Sequence, residues 1–137
     1  MNAIAVDTSV ISAICFEEPG FETYLHRLAH CEILWMAAPT RLELGIVSAN
    51  KGVSHRAKQL LDQHNVQIIA FDEVMTLAAI EAFEKFGKGR HKASLNFGDC
   101  ISYALAKVRG IPLLYKGEDF AHTDIASAMP SIAHPSP

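Results

Sequence analysis

The chain has 137 residues, half of them hydrophobic, and its 12 Lys and Arg against 15 Asp and Glu leave a formal net charge of -3. That length suits one domain with a substantial core, and the slight acidity means that a polyanion must be met by a local basic patch or a metal ion rather than by the overall field. Cys15, Cys31 and Cys100 form an odd set with no C-x-x-C pair, which argues against a disulfide scaffold and a tetrahedral zinc site and for a reducing compartment.

In chain order, Ile4 to Val6 form a first apolar run that ends at Asp7, followed by helical spacing from Thr8 to Glu17. Pro19 and Gly20 separate this segment from a second one with helical spacing, Phe21 to Cys31. Ile33 to Ala38 read as a second strand, Thr40 to Asn50 and Ser54 to His64 as helices divided by Gly52, and Val66 to Phe71 as a third strand. Helical periodicity returns over Glu73 to Phe86 and Phe97 to Arg109, then Gly110 and a fourth apolar run, Ile111 to Tyr115. A weaker fifth strand is placed at Asp124 to Ala128.

Apolar strands that alternate with helices imply a parallel sheet covered on both faces, because parallel neighbours need crossover connections. The expected fold is α/β, a three-layer α/β/α sandwich around a central parallel sheet of four to five strands. It occupies residues 1–129, with a Pro-containing tail at 130–137. No early segment has the makeup of a signal peptide, and no stretch reaches the ~18 apolar residues of a membrane span, so a soluble cytoplasmic protein is expected. A mean hydropathy of +0.15 is high for a soluble monomer and predicts apolar surface left for a partner or a second copy.

Open parallel sheets bind ligands beyond the carboxyl ends of their strands. Acids cluster there in the sequence: Asp7 after the first strand, Glu43 in the first turn after the second, Asp99 at the start of the helix before the fourth, and Glu118, Asp119 and Asp124 beyond it. Each has a plainer reading. Asp7 can cap a helix, Thr40 to Glu43 matches a capping box, and Asn96 with Asp99 resembles another helix start. Alternatively Thr8 and Ser9 serve the first helix start and leave the Asp7 carboxylate free. Capping does not require that acids converge. If they do, repulsion raises their pKa values unless a cation compensates, and an all-oxygen set without Cys or His favours Mg²⁺ or Mn²⁺. Such a site suits phosphodiester hydrolysis.

The segments V-D-T-S at Val6 to Ser9, R-L-E-L-G at Arg41 to Gly45 and L-N-F-G-D-C-I-S-Y-A-L-A at Leu95 to Ala106 follow one another in a familiar order. With L-L-Y-K-G-E-D-F-A-H-T-D-I from Leu113 to Ile125, the sequence resembles the PIN-domain nucleases, specifically the VapC-type toxins of bacterial toxin–antitoxin pairs. The resemblance implies a metal-dependent endoribonuclease, homodimeric and blocked by a cognate VapB-type antitoxin over its active-site groove. It assigns Asp7, Glu43 and Asp99 as catalytic, metal-holding acids and Asp119 as the fourth, with Glu118 or Asp124 able to share that role and Ser9 in support. Rival readings are a non-catalytic PIN-like binding module and a phosphohydrolase with Asp7 as nucleophile. The second is disfavoured because Ser9 stands where a second Asp is usual.

Lys85, Lys88, Arg90 and Lys92 concentrate four of the 12 cationic side chains in a glycine-containing stretch before the Asp99 helix. They read either as an RNA backbone contact or as a solvated loop. His26 and His30 have the spacing of a helical zinc pair without its Glu, and a solvated or partner-facing pair is the better reading. Trp35 reads as core. Phe16, Phe21, Tyr24, Leu25 and Leu28 read as core or, by the resemblance, as part of the antitoxin groove.

Overall fold

Alternate side chains along each apolar run leave on opposite sides, and the two resulting cores define the layers. In a computed structural model that describes residues 2–129, Ile4 and Val6 of β1 (Ala3–Val6) join Leu34 and Met36 of β2 (Ile33–Ala37) in one core. Ala5, Trp35 and Ala37 face the other. The predicted tail at 130–137 lies outside the described residues.

The first face is covered by α1 (Thr8–Cys15), α2 (Phe21–Ala29), α3 (Ala38–Lys51) and α4 (Ser54–Gln63). On the second lie α5 (Glu73–Phe86) and α6 (Phe97–Arg109). Residues 100–106 of α6 are all buried, because this helix lies between the sheet, α3 and α5. Small Ala5 and Ala37 beneath it permit the close approach.

All pairings are parallel, in the order β3-β2-β1-β4, with β3 at Gln67–Ile69 and β4 at Leu113–Leu114. The chain moves outward through β2 and β3, then returns to the other side of β1. The strand order therefore reverses at β1, where a ligand crevice is expected. Asp7 is held at that point, its N–H donating to the Leu114 carbonyl at 3.0 Å.

Two boundaries differ from expectation. The fourth strand shrinks to two residues because Pro112 has no N–H and the Lys116 N–H turns to Ser9 Oγ at 3.0 Å. The fifth strand is reduced to one parallel bridge between Ser127 and Leu113, with the Ala128 N–H donating to the Leu113 carbonyl at 2.9 Å. Among the described residues no helix is long and apolar enough to cross a membrane.

Candidate functional site

Each predicted acid arrives on a different element. Asp7 ends β1 and is the N-cap of α1, accepting the Ser9 N–H at Oδ2, 3.2 Å away. Ser9 Oγ donates to the same oxygen at 2.7 Å, and Ser102 Oγ donates to Oδ1 at 2.5 Å. Asp7 is only 5% exposed, so both oxygens of a buried carboxylate are satisfied by fixed donors. The hydroxyls of Thr8 and Ser9 do not take over the helix start. Ser9 turns to Asp7, and Thr8 Oγ1 donates to Glu43 Oε1 at 2.7 Å, so capping and the site share the Asp7 carboxylate.

Glu43 does not form the predicted capping box with Thr40. The second strand runs straight into α3 at Ala38, with Pro39 in the first turn, so Thr40 already lies inside the helix. Its Oγ1 sits 3.5 Å from Ser102 Oγ instead. Glu43 reaches over Gly98 of α6: a Cβ at position 98 would lie 2.2 Å from Glu43 Oε2. The absent side chain is what admits this carboxylate beside Asp99.

Asp99 is the third residue of α6 and forms the predicted capping box with Asn96: its N–H donates to Asn96 Oδ1 at 2.9 Å, and its Oδ2 accepts the Asn96 N–H at 3.1 Å. Burial, chiefly, and the negative charges of Asp7 and Asp119 raise the Asp99 carboxyl to about 7, against the downward pull of the Asn96 N–H. Asp119 opens a 3-10 turn at Asp119–His122 and comes within hydrogen-bonding reach of Asp99. Four separate segments thus bring Asp7, Glu43, Asp99 and Asp119 to one edge of the sheet. Among the described residues no three of them close on a common point.

Of the alternatives for the fourth acid, Asp124 is engaged elsewhere. Tyr103 Oη donates to it at 2.5 Å and Lys107 Nζ lies 2.9 Å away, and these partners outweigh burial and hold its carboxyl below the ordinary range. Glu118 is exposed and is not among the charges acting on Asp99. Ser9 supports the site as predicted. It also donates its oxygen to the Lys116 N–H, fixing the segment after β4 against α1.

The oxygen-only donors and the unrelieved repulsion at Asp99 fit a hard divalent cation, which would hold that carboxylate ionised. Sequence reasoning missed Thr8, Gly98 and Ser102. The one available signal for Ser102 was a hydroxyl on the face of an otherwise apolar helix, three residues beyond an acid.

Lys88, Arg90 and Lys92 are exposed, and none of the ion pairs among the described residues uses them. The stretch is closed by backbone bonds: the Lys88 N–H donates to the Leu95 carbonyl and the Leu95 N–H to the Phe86 carbonyl, each at 2.9 Å. It is therefore an ordered turn, with Arg90 lying 5.5 Å over the Phe83 ring. Lys85 stands on α5 just before it. His26 and His30 stack with ring centroids 4.0 Å apart, and His30 Nδ1 faces the His26 carbonyl. Trp35 packs in the second core, as expected.

Residues 4–126 match the protein family described as PIN domain. A protein named Ribonuclease VapC from Mycolicibacterium smegmatis is 40% identical over 127 residues, covering 90% of this chain and 98% of its own. Ribonuclease VapC30 from Mycobacterium tuberculosis is 39% identical over the same share of this chain and 97% of its own. Among solved structures, Mycobacterium tuberculosis VapC20, described as a Sarcin-Ricin loop cleaving toxin, superposes with a TM-score of 0.73 at 16% identity, over 93% of this chain and 99% of that one. A toxin–antitoxin complex from Klebsiella pneumoniae gives 0.67 at 16% identity, over 88% and 92%.

Proposed function

Because the chain belongs to the PIN-domain family, and within it to the VapC ribonucleases, we propose that it is the toxin of a type II toxin–antitoxin pair, a metal-dependent endoribonuclease that hydrolyses RNA phosphodiester bonds in the cytoplasm. The observation that carries the reading is the arrival of four acids from four segments at the point where the strand order reverses.

Asp7, Glu43, Asp99 and Asp119 hold Mg²⁺ or Mn²⁺, directly or through water. Such an ion, when bound, lowers the pKa of water and offsets the charge that develops on the phosphate during in-line attack. The protein's own residues prepare for it. Ser9 and Ser102 fix both oxygens of Asp7, and Thr8 fixes one oxygen of Glu43, so the acids are oriented before substrate arrives. Asp99 gives up the proton that its neighbours otherwise impose. Asp119 is the fourth acid, supported by its reach to Asp99, whereas Asp124 is tied to Tyr103 and Lys107.

Lys85, Lys88, Arg90 and Lys92, on the turn that leads into α6, neutralise the RNA backbone. A VapB-type antitoxin covers the surface of α1 and α2, where Phe16 is 40% exposed and Phe21, Tyr24 and Leu25 are half-buried. The chain forms a homodimer. Leu42 and Ile46 on α3, Leu77 and Ile80 on α5 and Phe97 on α6 are all more than half exposed, more apolar surface than a monomer usually leaves in water.

The test is incubation of antitoxin-free protein with RNA and Mn²⁺ or Mg²⁺, with and without EDTA. Cleavage that EDTA abolishes is expected. Absent cleavage, or cleavage indifferent to EDTA, would reject the proposal.

A further inference from the structure

Ser102 is 1% exposed in the middle of a helix whose other buried side chains are nearly all apolar, and packing alone does not explain a hydroxyl there. It lies three residues beyond Asp99, one turn along the same face of α6. Its Oγ–H donates to Asp7 Oδ1 at 2.5 Å, across 95 residues of sequence, and the equally buried Thr40 Oγ1 stands 3.5 Å behind it. We infer that Ser102 is a positioning residue for the Asp7 carboxylate, so that α6 supplies one acid of the site and orients another.

The geometry gives the reason. Asp7 Oδ2 is fixed by the Ser9 N–H and Oγ, which leaves rotation about the carboxyl bond restrained from one side only. Ser102 restrains the other oxygen. Each oxygen then keeps a lone pair in a fixed direction, since a carboxylate oxygen accepts two hydrogen bonds. Without the Ser102 hydroxyl, Oδ1 is a buried acceptor with no donor from α6, and the carboxylate is free to tilt. A group that orients a metal-holding acid in this way typically changes metal affinity or activity 10–100-fold when removed. The backbone position of Asp7 does not depend on it, because β1 and β4 hold that.

The inference rests on the metal-nuclease reading above, and the test separates the two. Mn²⁺ affinity of the full chain is measured by calorimetry for the wild type, Ser102→Ala and Ser102→Thr, with melting temperatures in metal-free buffer alongside. Ser102→Ala is expected to bind Mn²⁺ roughly 10–100-fold more weakly while melting within a few degrees of the wild type, and Ser102→Thr, which keeps the hydroxyl, to bind within a few-fold of it. Wild-type affinity in Ser102→Ala would overturn the inference and leave the metal reading standing. A folded Ser102→Thr that binds as poorly as the alanine variant would also overturn it, by assigning the loss to packing. No Mn²⁺ binding by the wild type would overturn both.

Discussion

Replacing Gly98 by alanine should uncouple activity from stability. The added Cβ would lie 2.2 Å from Glu43 Oε2 and 2.9 Å from its Cδ. A non-bonded carbon and oxygen need roughly 3.3 Å, so the carboxylate must retreat by about 1 Å. The backbone has no reason to move, because Gly98 lies in a regular helix and the obstructing atoms are the end of a flexible, half-exposed side chain. The retreat stretches the Thr8–Glu43 hydrogen bond of 2.7 Å, at a cost of about 1–2 kcal/mol, against which alanine gains up to about 1 kcal/mol in helix propensity. The fold should therefore stay within about 1 kcal/mol of the wild type, a melting shift of roughly 5 °C or less. Displacing a metal-holding acid by about 1 Å should instead lower the cleavage rate by up to about 100-fold. The assay is RNA cleavage at saturating Mn²⁺, with thermal melting in parallel. Undiminished cleavage would show that Glu43 is not needed where it stands, and a collapsed melting temperature would show that Gly98 serves the fold.

Asp99 titrates at about 7 in the folded chain against 3.8 for the unperturbed group, so its contribution to stability is complete below about pH 4 and is lost as pH rises through about 7. In EDTA, Asp99→Asn should gain stability relative to the wild type between pH 5 and pH 8, by a few kcal/mol at most; a difference in melting temperature that does not change with pH would reject this. Asp7→Asn keeps an acceptor for the Ser9 N–H and removes a charge that opposes Asp99, so it should melt at or above the wild type in metal-free buffer while losing cleavage entirely. Reversing Lys88 and Arg90 to Glu should weaken RNA binding and flatten its dependence on log salt by about one unit of slope, which a filter-binding titration at several salt concentrations would measure. Leu77→Glu with Ile80→Glu should shift the light-scattering mass from a dimer to the 15.0 kDa monomer, and an unchanged mass would remove this face from the interface.

Much of the fold was legible because its signals are local. The apolar runs at Ile4, Ile33, Val66 and Ile111 and the helical periods between them are properties of neighbouring residues, and a parallel sheet is the arrangement that joins them. Local chemistry also fixed the Asn96–Asp99 capping box. The predicted Thr40–Glu43 box failed because β2 and α3 join without a loop, so Pro39 starts the helix two residues early. The fifth strand failed because a single bridge to Leu113 is all that the short β4 can offer.

What the chain determines by itself is which acids stand at strand ends, since the polarity of a residue and its place after an apolar run are written in one dimension. Only the tertiary structure decided that Asp7 is both cap and candidate ligand, that Asp124 belongs to Tyr103 and Lys107, and that Asp119 reaches Asp99. It alone found Gly98 and Ser102, which act through space on residues 55 and 95 positions away in sequence. Hydrogen bonds and steric fit depend on distances of a few ångströms, and for such widely separated residues those distances are set by how α6 packs on β1 and α3, which no local pattern encodes.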